Sequence, residues 1–256
     1  MIPRFPSFLL FLIWAILAFP LGLSAQRDQV MNEASMLLLT ATYSGVQPVG
    51  QFSERFGPGF MFGGQLEGHL WPGNWILGVE SQFGFAGKVK ENVLAFLQDQ
   101  DGNMVGRDLA LSQAFLQQRF ISASIYGGKL FPVIASNRRS GIRLTVGAGY
   151  GWHWIKINDE MRSLPQIEGE YVKGYDRLTA GPVTTQFIGY QHISLSRRVV
   201  LFAGFDLIQG YTKSRRDYDF QNMSGDKTSR FDMTVGFRVG WSVSLYSGTQ
   251  SRDIYY

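Results

Sequence analysis

The sequence predicts an all-β fold, an eight-stranded antiparallel up-and-down transmembrane β-barrel. Three observations point to it: a long two-faced strand near the C-terminus, a leading apolar segment of export type, and connections that alternate long and short. In residues 230–246, Phe231, Met233, Val235, Phe237, Val239, Trp241, Val243 and Leu245 share one parity. Asp232, Thr234, Gly236, Arg238, Gly240, Ser242, Ser244 and Tyr246 share the other. Successive side chains of a strand point to opposite faces. One face is therefore large and apolar, the other small, polar or charged. Strands of globular domains run to about 5–6 residues, and a tilted membrane-crossing strand needs about 9–11. This stretch exceeds both, and Asp232 and Arg238 keep their face out of hydrocarbon. Lipid outside and a polar lumen inside satisfy the pattern.

Residues 1–25 read as a separate segment. Arg4 is its only charge, 8–19 is an unbroken apolar run, and Leu23-Ser24-Ala25 offers a small residue before a cleavage site. The run is short for a transmembrane helix. The expected organisation is a signal peptide over 1–25, an outer-membrane barrel over 26–246 and a short periplasmic tail over 247–256. The chain has 30 Gly, 14% aromatic residues and no Cys. Without Cys there is neither a lipoprotein signal nor a disulfide framework. Mean hydropathy is −0.04, as expected when lipid-facing and lumen-facing residues cancel in any window. Of the 24 Lys and Arg, Arg4 lies in the leader, and the other 23 stand against 20 Asp and Glu. So mild and scattered an excess leaves no nucleic-acid partner to expect.

The strands follow in order. Residues 36–43 put Leu37, Leu39, Ala41 and Tyr43 on one face, and 44–58 read as a loop with Gly, Pro and charge. In 59–70, Phe60, Phe62, Gly64, Leu66 and Leu70 alternate with Met61, Gly63, Gln65, Glu67 and His69. Trp71-Pro72-Gly73-Asn74 is a compact turn. The third strand, 75–87, sets Trp75, Leu77, Val79, Phe83 and Phe85 against Gly78, Glu80, Gln82 and Gly84. An excursion over 88–116 has the pattern of a short helix over 89–97 and a turn at Asp101-Gly102-Asn103. The fourth strand, 117–131, turns Ile121, Ala123 and Ile125 outward, and 132–140 reads as a polar turn containing Arg138 and Arg139.

The fifth strand, 141–158, directs Ile142, Leu144, Val146, Ala148, Tyr150, Trp152 and Trp154 out, and Arg143, Thr145, Gly147, Gly149, Gly151 and His153 in. After a long loop comes the sixth strand, 179–193, the least regular. Val183 and Phe187 are expected outside, with Gln186, Tyr190 and His192 inside. The seventh, 199–212, follows a short turn, with Leu201, Ala203, Phe205 and Leu207 out and Gly204, Asp206 and Gly210 in. The loop 213–229 leads to the eighth. Barrels of the outer membrane have long external loops and short periplasmic turns, and an even strand count then places both termini in the periplasm. A soluble lipocalin-like barrel would put its greasy side inside. Trp71, Trp75, Trp152, Trp154, Trp241 and Tyr246 fall near the strand ends, where aromatic rings favour the headgroup level.

These features resemble the small eight-stranded outer-membrane barrels of the outer membrane protein A-like superfamily. Four stretches are similar to single-domain outer-membrane barrels of Bacteroidota: Gln51-Phe52-Ser53-Glu54-Arg55-Phe56-Gly57-Pro58, Gly128-Lys129-Leu130-Phe131-Pro132, Lys173-Gly174-Tyr175-Asp176-Arg177-Leu178 and Gln209-Gly210-Tyr211-Thr212. The resemblance implies location and fold rather than an activity. It also implies a barrel alone, without the peptidoglycan-binding domain that some larger relatives append.

Six inward charges form the candidate lumen network: Glu67, Glu80, Arg143, Asp206, Asp232 and Arg238. The interior of an eight-stranded barrel is just wide enough for side chains to fill. Charges there must pair or be hydrated, so Arg143 and Arg238 are expected to pair with some of the four acids. The first functional reading is a non-enzymatic scaffold or binding module, or a small subunit of a larger envelope complex, acting through its external loops and lipid-facing wall. Two alternatives stand beside it. The resemblance admits a lipid A-modifying enzyme, since some barrels of this size are deacylases or acyltransferases that use a His with Ser and an acid. Of His69, His153 and His192, only His153 lies near the external end, between Trp152 and Trp154, and no His–Ser motif accompanies it. The other alternative is a narrow channel; open porins need about 16–18 strands.

Three scattered His and no Cys give no metal-ligand spacing, and no cofactor is expected. Asp99-Gln100-Asp101-Gly102-Asn103 lacks the ligand ladder of a calcium loop and reads as a turn. Lys213, Arg215, Arg216, Lys227 and Arg230, with Tyr218 and Phe220, form a basic loop suited to anionic lipid such as lipopolysaccharide phosphates. The expected partners are therefore outer-membrane lipid and an envelope protein.

Overall fold

The computed structural model describes residues 34–247 apart from 108, 160–162, 195–198, 217, 221–222 and 226–227. The expected leader, the tail beyond 247 and Lys227 lie outside the described residues. Eight long strands carry the fold: β1 (Met36–Val49), β2 (Gly59–Leu70), β3 (Trp75–Ala86), β4 (Phe115–Ile134), β5 (Asn137–Asn158), β6 (Thr179–Ile193), β7 (Val200–Ser214) and β8 (Ser229–Ser247). Each pairs antiparallel with its neighbours along the chain, and β1 closes the ring on β8, from Met36 opposite Ser247 to Val49 opposite Met233. The barrel has no free edge, so every strand finds two partners for its backbone groups.

Several boundaries differ from the sequence reading. β1 runs to Val49 rather than ending at Tyr43, and a short helix α1 (Gln51–Arg55) follows where a loop was expected. Pairing of β1 with β2 stops at Val46 opposite Gly59, whereas pairing with β8 continues. Pro48 therefore sits where β1 has one neighbour only, and its missing N–H removes no ladder bond from a second one. The supposed polar turn 132–140 is mostly strand, with β4 and β5 meeting through Ala135 and Ser136. Arg139 is accordingly buried on β5 rather than solvated in a turn. Among the described residues of the second long connection only Ala95–Leu97 is helical, as a 3-10 turn. So short a segment cannot offset helix nucleation, and Val93 and Leu94 are instead buried in tertiary contacts.

The alternation sorts the two faces on seven strands as the parity of the sequence requires. On β8, Phe231, Val235, Phe237, Val239, Trp241 and Val243 are exposed on the outer wall, and Asp232, Thr234, Arg238 and Ser242 are buried inside. On β6 the expectation was inverted. Val183, Thr185, Phe187, Gln191 and Ile193 face the interior, while Gln186, Ile188, Tyr190 and His192 face out. The cause is packing of aromatic rings inside the barrel. Phe187 meets Phe202 edge-on at 5.3 Å, and the guanidinium of Arg143 lies 4.5 Å from the Phe202 ring centre. Polarity alone cannot reveal that an interior holding arginines also takes phenylalanines as their stacking partners.

Glycine makes room for these rings. A Cβ on Gly240 would lie 2.3 Å from the Phe202 ring, which supplies its three nearest atoms. Gly240→Ala should therefore cost about 1–3 kcal/mol as overpacking. Adding Phe202→Leu should recover most of the loss in urea unfolding of the folded barrel; a single variant as stable as the parent would show that the ring moves freely.

Candidate functional site: charged lumen and loop cap

The inward charges form three levels. At the level of β2, Arg143 donates through Nη1 to Glu67 Oε1 (3.0 Å) and through Nη2 to Glu67 Oε2 (2.5 Å). Such a bidentate pair is the strong geometry for Arg and carboxylate. The hydroxyl of Tyr126 donates to Glu67 at 2.6 Å, His69 Nε2 lies 3.1 Å from Glu67 Oε1, and Arg143 also donates to Gln191 Oε1 at 3.0 Å. At the middle level one cation serves two carboxylates: Arg238 donates to Glu80 at 2.9 Å and to Asp206 at 2.7 Å. Gln65 and Ser124 donate further bonds to Glu80. At the level nearest the long loops, Asp232 accepts from Arg55 (2.5 Å) and Thr212 (2.5 Å), and His153 Nε2 lies 3.0 Å from it.

The structure thus brings three of the four acids to Arg143 or Arg238, while Asp232 takes its arginine from α1. Arg55 escaped sequence reasoning because strand parity says nothing of a side chain that enters the lumen from a loop. Tyr126 and Thr212 lie on the inward parity read for their strands, and reading every inward polar residue rather than only the charged ones would have found them; Gln191 lies on the parity of β6 that the sequence reading turned outward. Arg139, from the misread turn, donates to the backbone carbonyl of Ala34 and lies over the Trp71 ring. It covers the lumen at the short-turn end.

The other end is closed by the long connections. β5 spans 22 residues, roughly 70 Å at about 3.3 Å per residue, far beyond a bilayer crossing. Its upper part stands clear of the ring's middle and supports a second hydrophobic core. Phe52 and Phe56 of the first connection, Val93, Leu94 and Met104 of the second, and Leu164 and Ile167 of the third pack there with Ile155 of β5. Polar ties bind the same loops. Arg177 of the third connection reaches Glu91 of the second at 3.0 Å and Asp219 of the fourth. Gln166 donates to the carbonyl of Val105 at 3.0 Å. Lys90 donates to the carbonyl of Ser53 at 2.6 Å. The four connections form one cap rather than separate flaps.

His153 lies under this cap. It is 2% exposed, and the rings of Phe52 and Phe56 meet it edge-on at 5.3 and 5.8 Å. Its contacts are an acid, two phenyl rings and the lumen wall. On the loop surface Lys213 and Arg215 are exposed, and Arg215 donates to the Tyr150 hydroxyl. Arg216 is held by Asp176, with Nε 2.9 Å from its carboxylate, a bond that raises the guanidinium above its ordinary range. Arg230 is half-buried and engaged. The Asp99 segment is a self-contained turn, with Asp99 Oδ1 accepting from the N–H groups of Asn103 (2.8 Å) and Asp101 (2.9 Å). Those bonds, that from Asn103 foremost, hold the Asp99 carboxyl below its usual range.

The cap also presents apolar groups outward. Phe96, Tyr171 and Met223 are 76%, 63% and 73% exposed. With Leu97, Tyr175 and Phe220 they line a concavity of about 450 Å³.

No protein-family model matches the chain, and no curated protein matches it. Among solved structures the chain is similar to Neisserial surface protein A, at 12% identity over 83% of this chain and 99% of that one, with a TM-score of 0.44. Ail, the attachment invasion locus protein of Yersinia pestis, aligns at 11% identity over 83% and 99% of the two chains, with a TM-score of 0.42. The N-terminal β-barrel domain of Pseudomonas aeruginosa OprF aligns at 11% identity over 83% and 98%, with a TM-score of 0.37. Identities and TM-scores this low carry no inference about activity.

Proposed function

We propose that the chain is an outer-membrane barrel with a filled lumen, and that it works as a non-enzymatic binding scaffold through its loop cap. The observation that carries this is the second hydrophobic core. Loops that served only to connect strands would have no need to bury Phe56, Leu94 and Leu164 against one another. Here they build a fixed platform, and an exposed aromatic concavity on such a platform is the usual mark of a contact site. The outer wall, predominantly apolar, supports the membrane location. The long-loop end would face outward and both termini the periplasm. Lys213 and Arg215 remain candidates for anionic headgroups beside the cap.

The alternatives gain no support from the geometry. An enzyme needs substrate at His153, and that ring is enclosed by Phe52, Phe56 and Asp232. A channel needs a continuous aqueous path, and the three charged levels cross the lumen side chain to side chain.

The test is light crosslinking in native membranes, followed by purification in mild detergent, for the parent and for a Phe96→Ser, Tyr171→Ser variant. A stoichiometric envelope partner lost in the variant is the expected result. Sedimentation away from the outer membrane, or steady single-channel conductance in planar bilayers, would overturn the reading.

A further inference from the structure

The outer wall of β3, β4 and β5 changes character towards the long loops. Phe83, Ile121 and Trp152 share one outward register row, and Phe85, Arg119 and Trp154 share the next. Beyond them Gln117 stands opposite Lys156, and Phe115 opposite Asn158. Rings with a cation among them mark the level where hydrocarbon gives way to headgroups, because Trp favours that interface and long basic side chains reach out to it. Next to this level lies a groove of about 580 Å³. Lys88, Asn92 and Gln98 of the second connection line it together with Phe115, Gln117 and Asn158 of the strands.

The lining is rich in donors and poor in acceptors. Gln117 Oε1 accepts from Arg119 Nη2 at 2.6 Å, and Gln98 Oε1 accepts from Asn92 Nδ2 at 2.7 Å. Asn92 Oδ1 in turn accepts from the N–H of Leu94 at 3.1 Å. These three carbonyl ends are taken, whereas the NH2 groups of Gln98 and Gln117 have no bond among the described residues. Neither NH2 group is closed off by the protein, and Lys88 and Lys156 are exposed beside them. No carboxylate is among the described lining residues. The acids next in sequence are committed elsewhere, Glu91 to Arg177 at 3.0 Å and Asp159 to the N–H of Leu164 at 2.8 Å. Cap and lumen arginines such as Arg216 and Arg238 are paired with carboxylates; Lys88, Arg119 and Lys156 have no ion pair among the described residues. Cations and NH2 donors without an acid suit a group that only accepts, and phosphate is such a group.

We infer that this groove holds the phosphate of a lipid headgroup in the leaflet at the long-loop end, with Lys88, Arg119 and Lys156 as counter-charges and Gln98 and Gln117 donating to its oxygens. A lipid rather than a free anion follows from the place. The groove adjoins the row of Phe85 and Trp154, where a headgroup sits while its acyl chains run down the apolar wall of β3 to β5. This rests on the membrane location proposed above. In the test, the full chain is refolded in dodecyl maltoside and titrated with phosphatidic acid, phosphatidylglycerol or phosphatidylcholine, and native mass spectrometry reads the bound lipid. Expected is one phosphatidic acid, held about tenfold more tightly than phosphatidylglycerol because its phosphate is a monoester with more free acceptor oxygens. The variant Gln98→Leu, Gln117→Leu removes two donors without changing charge and should bind about tenfold more weakly. The variant Lys129→Gln, Arg138→Gln removes two charges at the short-turn end and should bind as the parent does. Equal affinity for the two anionic lipids, no loss in the glutamine variant, or equal loss in both variants overturns the inference. Competition by inorganic phosphate at the lipid's own concentration also overturns it, in favour of a free anion. Insertion is scored separately, by protease resistance in phosphatidylcholine vesicles. A parent that fails to insert overturns the membrane reading, and this inference with it. Should the glutamine variant alone fail to insert, Lys88→Gln carries the test with the same expected loss, and unchanged binding overturns the inference.

Discussion

Arg238→Met will destabilise the barrel by about 3–5 kcal/mol, the cost of leaving buried charge without its partner. The effect is placed at the top of that range because two acids lose their cation at once. Glu80 and Asp206 are both buried, and Arg238 bonds to each. No other described arginine is placed to replace it: Arg143 is committed to Glu67 and Arg55 to Asp232. Urea unfolding of protein inserted in vesicles will read the loss. Adding Glu80→Gln and Asp206→Asn should return much of it, since a neutral lumen has no uncompensated charge. A single variant within about 1 kcal/mol of the parent would mean that the pairing contributes little net energy.

Phe56→Ala will cost about 3–5 kcal/mol of packing, but the loss will be local. Phe56 is buried in the cap core and touches both Phe52 and the His153 ring. Removing it opens a cavity where α1 meets the second and third connections. The barrel strands are held by a closed hydrogen-bond ladder that Phe56 does not enter. Hydrogen exchange should therefore quicken across α1 and the cap, including Lys90 and Gly57, whose N–H groups bond between loops, while β1 to β8 stay protected. Equal loss in strands and cap would show that the two cores unfold as one unit. No change in either would show that the cap gains nothing from this ring.

The architecture was legible in the residues themselves. A strand declares its faces with every second side chain, so the order Asp232, Thr234, Gly236, Arg238 on one parity and Phe231 to Leu245 on the other fixes inside and outside on β8. Repeating that pattern with alternating long and short connections leaves an up-and-down ring as the consistent topology. It was enough to name Glu67, Glu80, Arg143, Asp206, Asp232 and Arg238 as lumen residues, but not to say which meets which. Partners sit on strands distant in sequence, and shear of the barrel decides which levels coincide.

What only the tertiary structure decided lies where parity fails or does not apply. β6 mixes Phe187 and Val183 with Gln186 and His192, and neither set is wholly apolar. Its orientation was settled by the fit of Phe187 against Phe202, with Gly204 and Gly240 making way. Loops have no parity at all. That Arg55 would turn into the lumen, that Phe52 and Phe56 would cover His153, and that four connections would share one core follows from side chains meeting across long separations. Alternation along one strand is a local rule and can be read locally; the closing of the lumen is a packing result, and it exists only once the ring has formed.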